Sequence, residues 1–207
     1  MSDPRQSTLS VEPFVTGQRA EVEAVLARAF WPDPLFGFFC RDLVIEHSML
    51  PRVFAAFMAD AVPFDTTWVA NAGERVMGAA VWIPPEGMPR SKKRDALMQA
   101  RMARILLTGR NRRKGLALLD AVDKVHPHDP HWYLVLLGTD PLVQGKGVGG
   151  QLLQPALDRA DADGVPCYLE TQKERNLSFY ARFGFQQADE LRVPGAPPVW
   201  TMRREAR

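Results

Sequence analysis

The chain has 207 residues, a formal net charge of +2 and 46% hydrophobic residues. This is the composition of one ordinary soluble domain, and so balanced a charge gives no whole-protein case for nucleic acid. No apolar run approaches the roughly 18 residues of a membrane span. The opening MSDPRQSTLS has no apolar signal core. Cys40 and Cys167 lie far apart and form no metal-ligand pattern, so a reducing, cytoplasmic setting is expected.

In chain order, STLSVEPFV is a short β-prone run. TGQRAEVEAVLARAF follows with an apolar stripe at Val22, Val25, Leu26 and Phe30, which predicts a helix opened by a capping Thr16. WPDPLFGFF breaks it with two prolines and packs aromatics into a loop or short helix. Residues 41–62 read as helical, with a break or kink at Pro51. TTWVANAGERVMGAAVWIPP is a hairpin turning at NAGE. Residues 91–125 read as two helices broken at TGRNRRKG. Arg90 to Lys114 holds many cations and one acid, Asp95, which fits either an acidic partner or a solvated face above inward Met98, Met102, Ile105 and Leu106. His131–Leu137 is a strand, a helix ends near Asp163, Val165–Thr171 is a strand and Asn176–Phe183 a short helix. The end is β-rich.

The glycine loop in LGTDPLVQGKGVGGQ carries the chemistry. It is not a Walker loop: Asp140 stands where the first glycine belongs, and Gly147 follows Lys146 where Ser or Thr would hold magnesium. Gly145, Gly147 and Gly150 fit the dinucleotide pattern, with Glu170 near the ribose-binding position. Against that reading, GTDPLVQ separates the strand from the first glycine, and too little chain follows for a doubly wound sheet. A third pattern, Q-x-x-G-x-G at Gln144, Gly147 and Gly149, presents backbone N–H groups at a helix N-terminus, where a pyrophosphate can approach. The helix behind it would bury Val148, Leu152, Ala156 and Leu157, with a kink at Pro155.

HWYLVLLGTDPLVQGKGVG, followed by CYLET and RNLSFYARFGF, resembles the GNAT-type N-acetyltransferases, and most closely their puromycin N-acetyltransferase branch. The likeness covers residues 66–85 and 128–203 and is faint elsewhere; Thr139 departs from the more usual valine. The resemblance implies an α+β fold: a mixed, mostly antiparallel sheet of about six or seven strands, flanked by helices and splayed between two central strands. It implies one domain over 1–207, with 86–127 a helical segment between the hairpin and the donor-binding strand. It implies acetyl-CoA as donor, with pyrophosphate on Gln144, Gly145, Lys146, Gly147, Val148 and Gly149. The pantetheine arm would pair with the backbone of Leu137, Gly138 and Thr139, Asn176 would bond it, and Tyr180 would face the sulfur.

A primary amine is mostly protonated at neutral pH, at a cost of roughly 4–5 kcal/mol to make it nucleophilic, so a general base is useful. Glu170 ends the strand that would flank the acceptor and is the candidate; a solvated strand-end carboxylate is the plain alternative. His131 and Tyr133 are other candidates, acting through water. Tyr180 is the candidate acid or hydrogen-bond donor to the leaving sulfur, against a merely packed tyrosine. His126, His128, Asp129 and His131 invite a metal reading, but the intervening prolines favour a lead-in to a strand. Asp33 would either attract an ammonium or form a turn. The expected function is acetyl transfer from acetyl-CoA to a primary amine of a small molecule by direct attack in a ternary complex, with no metal and no nucleic-acid or membrane partner. A homodimer stays open. The alternatives are acetylation of a protein N-terminus or lysine, and a non-catalytic acyl-CoA-binding module.

Overall fold

The computed structural model describes residues 9–31, 33–39, 43–108 and 111–207. Cys40 lies outside them. The strands are β1 (Leu9–Pro13), β2 (Thr67–Ala72), β3 (Arg75–Ile83), β4 (Trp132–Thr139), β5 (Cys167–Thr171), β6 (Gln186–Leu191) and β7 (Val199–Arg204). They form one seven-stranded sheet in the order β1-β2-β3-β4-β5-β7-β6, antiparallel except for the β4–β5 pair. The helices are α1 (Arg19–Phe30), α2 (Pro34–Phe39), α3 (Leu43–Ala61), α4 (Lys92–Thr108), α5 (Arg112–Val125), α6 (Val148–Asp163) and α7 (Arg175–Ala181). The α+β architecture expected from the sequence is therefore present, with its one parallel pair joined through α6, as a parallel connection requires.

Two apolar layers cover the sheet. Trp68, Trp82, Trp132 and Leu134 pack under α6, against Leu152, Leu153, Ala156 and Leu157. On the opposite face Val69, Val81 and Leu136 meet Val22 and Leu26 of α1 and Phe54 and Met58 of α3. Both faces are apolar because both are covered by helices, so the central strands read as near-continuous hydrophobic runs.

One local expectation changes. Thr16 does not cap α1: Thr16–Gln18 form a 3-10 turn, and α1 starts at Arg19. The Gln18 side chain instead accepts from the Val15 N–H at 3.2 Å. α3 runs through Pro51 as one helix, and α6 runs through Pro155; each proline forfeits one backbone bond that the packing of its helix outweighs. In α4, Met98 and Met102 are half-buried, while the side chains of Ile105 and Leu106 lie outside the described residues.

The segment 86–127 is fastened to α3 through one carboxylate. Asp60, only 6% exposed, accepts from Arg90 Nε at 2.9 Å and from Arg94 Nε at 2.9 Å. Arg94 also donates to the Gly87 carbonyl and lies over the Phe64 ring. Burial alone would raise the Asp60 pKa, but the two guanidinium groups more than offset it and hold the carboxyl below its usual value. A depressed folded pKa means stability that is present above the unfolded value and lost as pH falls through the folded one. Asp60→Asn is expected to cost about 2–3 kcal/mol at neutral pH by leaving two half-buried guanidinium groups without an anion. In urea titrations the gap to wild type should narrow as pH drops below about 4; a gap independent of pH would remove the ion cluster from this role.

Candidate active site

Strand β4 carries one residue too many for its neighbour. Its antiparallel register against β3 runs Val81↔Leu136 and then Trp82↔Leu134, so Val135 has no partner. This bulge switches the strand's facing: Trp132 and Leu134 point to the α6 side, Leu136 to the α1 side and Leu137 back toward α6. A bulge also bends its strand and raises the local twist. Parallel pairing of β4 with β5 covers only Trp132↔Cys167, Tyr133↔Tyr168 and Leu134↔Leu169. It stops where the bulge begins. Residues 135–139 and 170–171 thus border an opening in the middle of the sheet, the splay expected from the sequence.

The glycine loop lies at the C-terminal end of β4. Pro141–Val143 make a 3-10 turn capped by Asp140, whose side chain accepts from the Leu142 N–H and is gripped by Arg28 at 2.8 Å. Gly145 and Gly147 have φ of 75° and 81°, the left-handed region, and a Cβ built on either meets nothing within 4 Å. The chain there is free of side chains on its open side, directly before the first turn of α6, whose leading N–H groups have no intrahelical acceptor. Gly149 and Gly150 differ: a Cβ would lie 3.3 Å from the Phe179 ring and 2.6 Å from the Phe183 ring, so these glycines let α7 pack on α6. Gly138 is also a packing glycine. Its Cβ would stand 2.9 Å from Leu26 and 3.0 Å from Ala29, so α1 can lie on β4 only if this residue has no side chain. The Gln144 amide donates to the Thr139 carbonyl at 3.1 Å and ties the loop to the strand end. Lys146 and Val148 flank the open glycines, Lys146 exposed and Val148 buried.

Asn176 and Tyr180 sit four residues apart on α7. Asn176 donates to Thr171 Oγ1 at 2.9 Å, which places its amide at the end of β5 beside the opening. Tyr180 is 7% exposed and packs edge-on to Phe179 and Phe185. Burial pushes its phenol well up. The phenol is therefore a poor source of a whole proton and keeps only the capacity to donate a hydrogen bond.

Glu170 lies on the other side of the sheet from α6, because Cys167 and Leu169 of β5 take the α6 face and successive side chains alternate. It is not a solvated strand end: its side chain is 9% exposed. Tyr133 OH donates to Oε2 at 2.8 Å, and His126 Nδ1 stands 3.2 Å from Oε1. Burial and the nearby Glu170 charge push the Tyr133 phenol far up, so it remains a neutral donor. His126 Nε2 is 3.2 Å from His131 Nε2, and His131 Nδ1 is 2.8 Å from the Asp129 carbonyl. Sequence reasoning placed Glu170, His131 and Tyr133 singly and considered His126 only as a metal ligand. The structure brings the four together, with the two histidine rings set edge-on to each other and the Asp129 carboxylate turned to Arg203 at 2.9 Å. The nearest sequence signal was two histidines around a proline-rich turn into a strand. Asp33 is ion-paired to Lys173 at 3.2 Å and accepts from the Leu35 N–H, so the ammonium it meets is one of the chain's own.

The model of the acetyltransferase (GNAT) family matches residues 29–185. An uncharacterized N-acetyltransferase of Schizosaccharomyces pombe is 39% identical over 64 residues, which are 30% of this chain and 26% of that protein. The chain spans 26% and 46% of the lengths of two curated relatives that it matches. Among solved structures, a protein described as histone acetyltransferase HPA2 and related acetyltransferase, from Corynebacterium glutamicum, superposes with TM-score 0.69 at 22% identity, covering 97% of both chains. The Drosophila melanogaster polyamine N-acetyltransferase does so with TM-score 0.65 at 20% identity, over 96% of this chain and all of that one. Likenesses this distant show the fold, while the family match takes in well over half of the sequence: the chain belongs to the GNAT family of acetyltransferases.

Proposed function

We propose that the chain transfers the acetyl group of acetyl-CoA to a primary amine of a small molecule, by direct attack within a ternary complex, as one catalytic domain of the cytoplasm. The observation that carries this reading is the opening between β4 and β5, with an open glycine loop on the α6 side and a buried carboxylate on the other. The residues present suit a CoA thioester. The N–H groups at residues 144–149 would take its pyrophosphate, with Lys146 adding a cation. The free edge of β4 at Leu137–Thr139 would pair with the amides of its pantetheine arm as an added strand would, and Asn176 would bond the same arm. What acetyl-CoA supplies is an activated acyl group on a thiol leaving group. An acceptor entering from the α1 face meets Glu170, which takes the ammonium proton directly or through one water. Tyr180 would donate a hydrogen bond as charge builds on sulfur, and the departing thiolate takes up, through solvent, the second proton shed by the acylated nitrogen. The enclosing of Glu170 by Tyr133, His126 and the 86–127 segment favours a small acceptor over a protein chain. Aminonucleosides of the puromycin type and polyamines are the first amines to try.

Three substitutions test the assignment. Gly147→Val should remove acetyl-CoA binding in calorimetry, since a left-handed φ penalises any Cβ by about 1–2 kcal/mol and the new side chain fills the open cradle. Unchanged affinity would move the donor elsewhere. Glu170→Gln should lower kcat/KM by about 10²-fold or more near neutral pH, with the deficit shrinking as the amine itself deprotonates; a variant as fast as wild type at every pH ends its role as base. Tyr180→Phe should cost about 10-fold or more in kcat with acetyl-CoA affinity unchanged. Normal turnover in the folded variant would leave Tyr180 a packing residue.

A further inference from the structure

We propose that the proton-accepting unit of this site is the Glu170–His126 pair, with His126 a positioning residue and proton outlet held in one tautomer by His131. The inference rests on the acetyl-transfer reading above and names a residue that reading does not need.

The argument follows hydrogens. The Asp129 carbonyl can only accept, so His131 Nδ1, 2.8 Å away, carries a hydrogen. His131 is 1% exposed, and burial lowers its pKa, with the neighbouring His126 acting in the same direction. A neutral His131 with Nδ1–H has a bare Nε2. That bare nitrogen faces His126 Nε2 at 3.2 Å, so His126 Nε2 carries the hydrogen of this contact. The one position left on His126 for an exchangeable proton is Nδ1, and it faces Glu170 Oε1 at 3.2 Å. Once the pair carries a proton, the same hydrogen bond holds whichever of the two has it, so little need move when it crosses.

The surroundings fix the direction of flow. Tyr133 donates to the other carboxylate oxygen and is too weak an acid to take part. Tyr168 packs edge-on to His126, and burial raises its phenol too. Arg90 acts on Tyr133, and Asp129 and Arg203 act on His131. The His126 side chain is 16% exposed against 9% for Glu170 and is the outward member of the pair. A proton leaving the acceptor nitrogen arrives on the Glu170 carboxylate, is shared between Oε1 and His126 Nδ1, and is given up by the pair to solvent on its more exposed, His126 side. Only N–H and O–H bonds form and break, and Glu170 returns to carboxylate for the next turnover.

The test uses the full chain with 15N-labelled histidine. Long-range 1H–15N spectra near neutral pH should show His131 as the Nδ1–H tautomer; an Nε2–H tautomer or an imidazolium would overturn the proposal. Glu170→Gln should move the His126 Nδ1 resonance and leave the His131 tautomer in place, and an unmoved resonance would equally overturn it. In rates, measured on whichever of puromycin, polyamines and arylalkylamines is acetylated fastest, His126→Gln should lower kcat/KM about 10-fold near pH 7, with the deficit closing toward pH 10. Added imidazole should restore part of the loss in His126→Ala. A deficit equal at every pH and not rescued would mark His126 as structural and sink the relay. Should no amine consume acetyl-CoA with the wild-type chain, the acetyl-transfer reading fails, while the spectra still decide the pair.

Discussion

One unpartnered residue in the middle of a sheet governs this molecule. Parallel strands joined through a helix normally stay paired along their shared length. Here β4 takes in Val135 opposite β3, changes facing, and leaves β5 after three residue pairs. The cost is a row of unpaired backbone groups along the far half of β4, which a buried sheet would ordinarily not carry. A ligand with amides of its own can repay that cost as an added strand would. The same bulge makes Tyr133 and Leu136 both face the α1 side, although three residues apart, so Tyr133 reaches Glu170 while Leu136 seals the helix layer. The cleft and the carboxylate that faces it thus have one structural cause.

Much of this was legible in the sequence because its signals are local. The hairpin over residues 66–85 follows from a turn between two apolar runs, and α6 from a stripe that ends at Gly164, which has φ of 65°. Gly145 and Gly147 are required by backbone conformation, and of the two glycines in the Q-x-x-G-x-G pattern only Gly147 is of this kind. Gly138, Gly149 and Gly150 look the same in the sequence but are glycines for another reason, the approach of α1 and α7. Nothing short-range separates the two kinds. The bulge had no signal either, since HWYLVLL alternates equally well in or out of phase. Thr16 had a capping residue's chemistry, yet the chain takes a 3-10 turn first and uses Gln18. Residues 86–127 were placed as helices but not in space, because their anchor, Asp60, lies 30 and 34 positions from the arginines it holds.

The environment of Glu170 also lay beyond sequence reading, and it separates this carboxylate from the others described. Asp60 is held by Arg90 and Arg94, Asp140 by Arg28, Asp161 by Arg204 and Asp33 by Lys173. A carboxylate gripped by a permanent cation has its charge matched by a fixed partner, which makes it a structural tie. Glu170 is as buried as several of these, but its partners are a phenol and an imidazole, brought from 37 and 44 positions away. Neither is a fixed charge. The phenol orients the carboxylate without neutralising it, and the imidazole can exchange a proton with it. Where the sheet opens, this buried carboxylate is held by hydrogen-bond donors rather than by a guanidinium, so no fixed cation matches its charge. That difference in partners, more than position at a strand end, is what supports the proposal of Glu170 as the base.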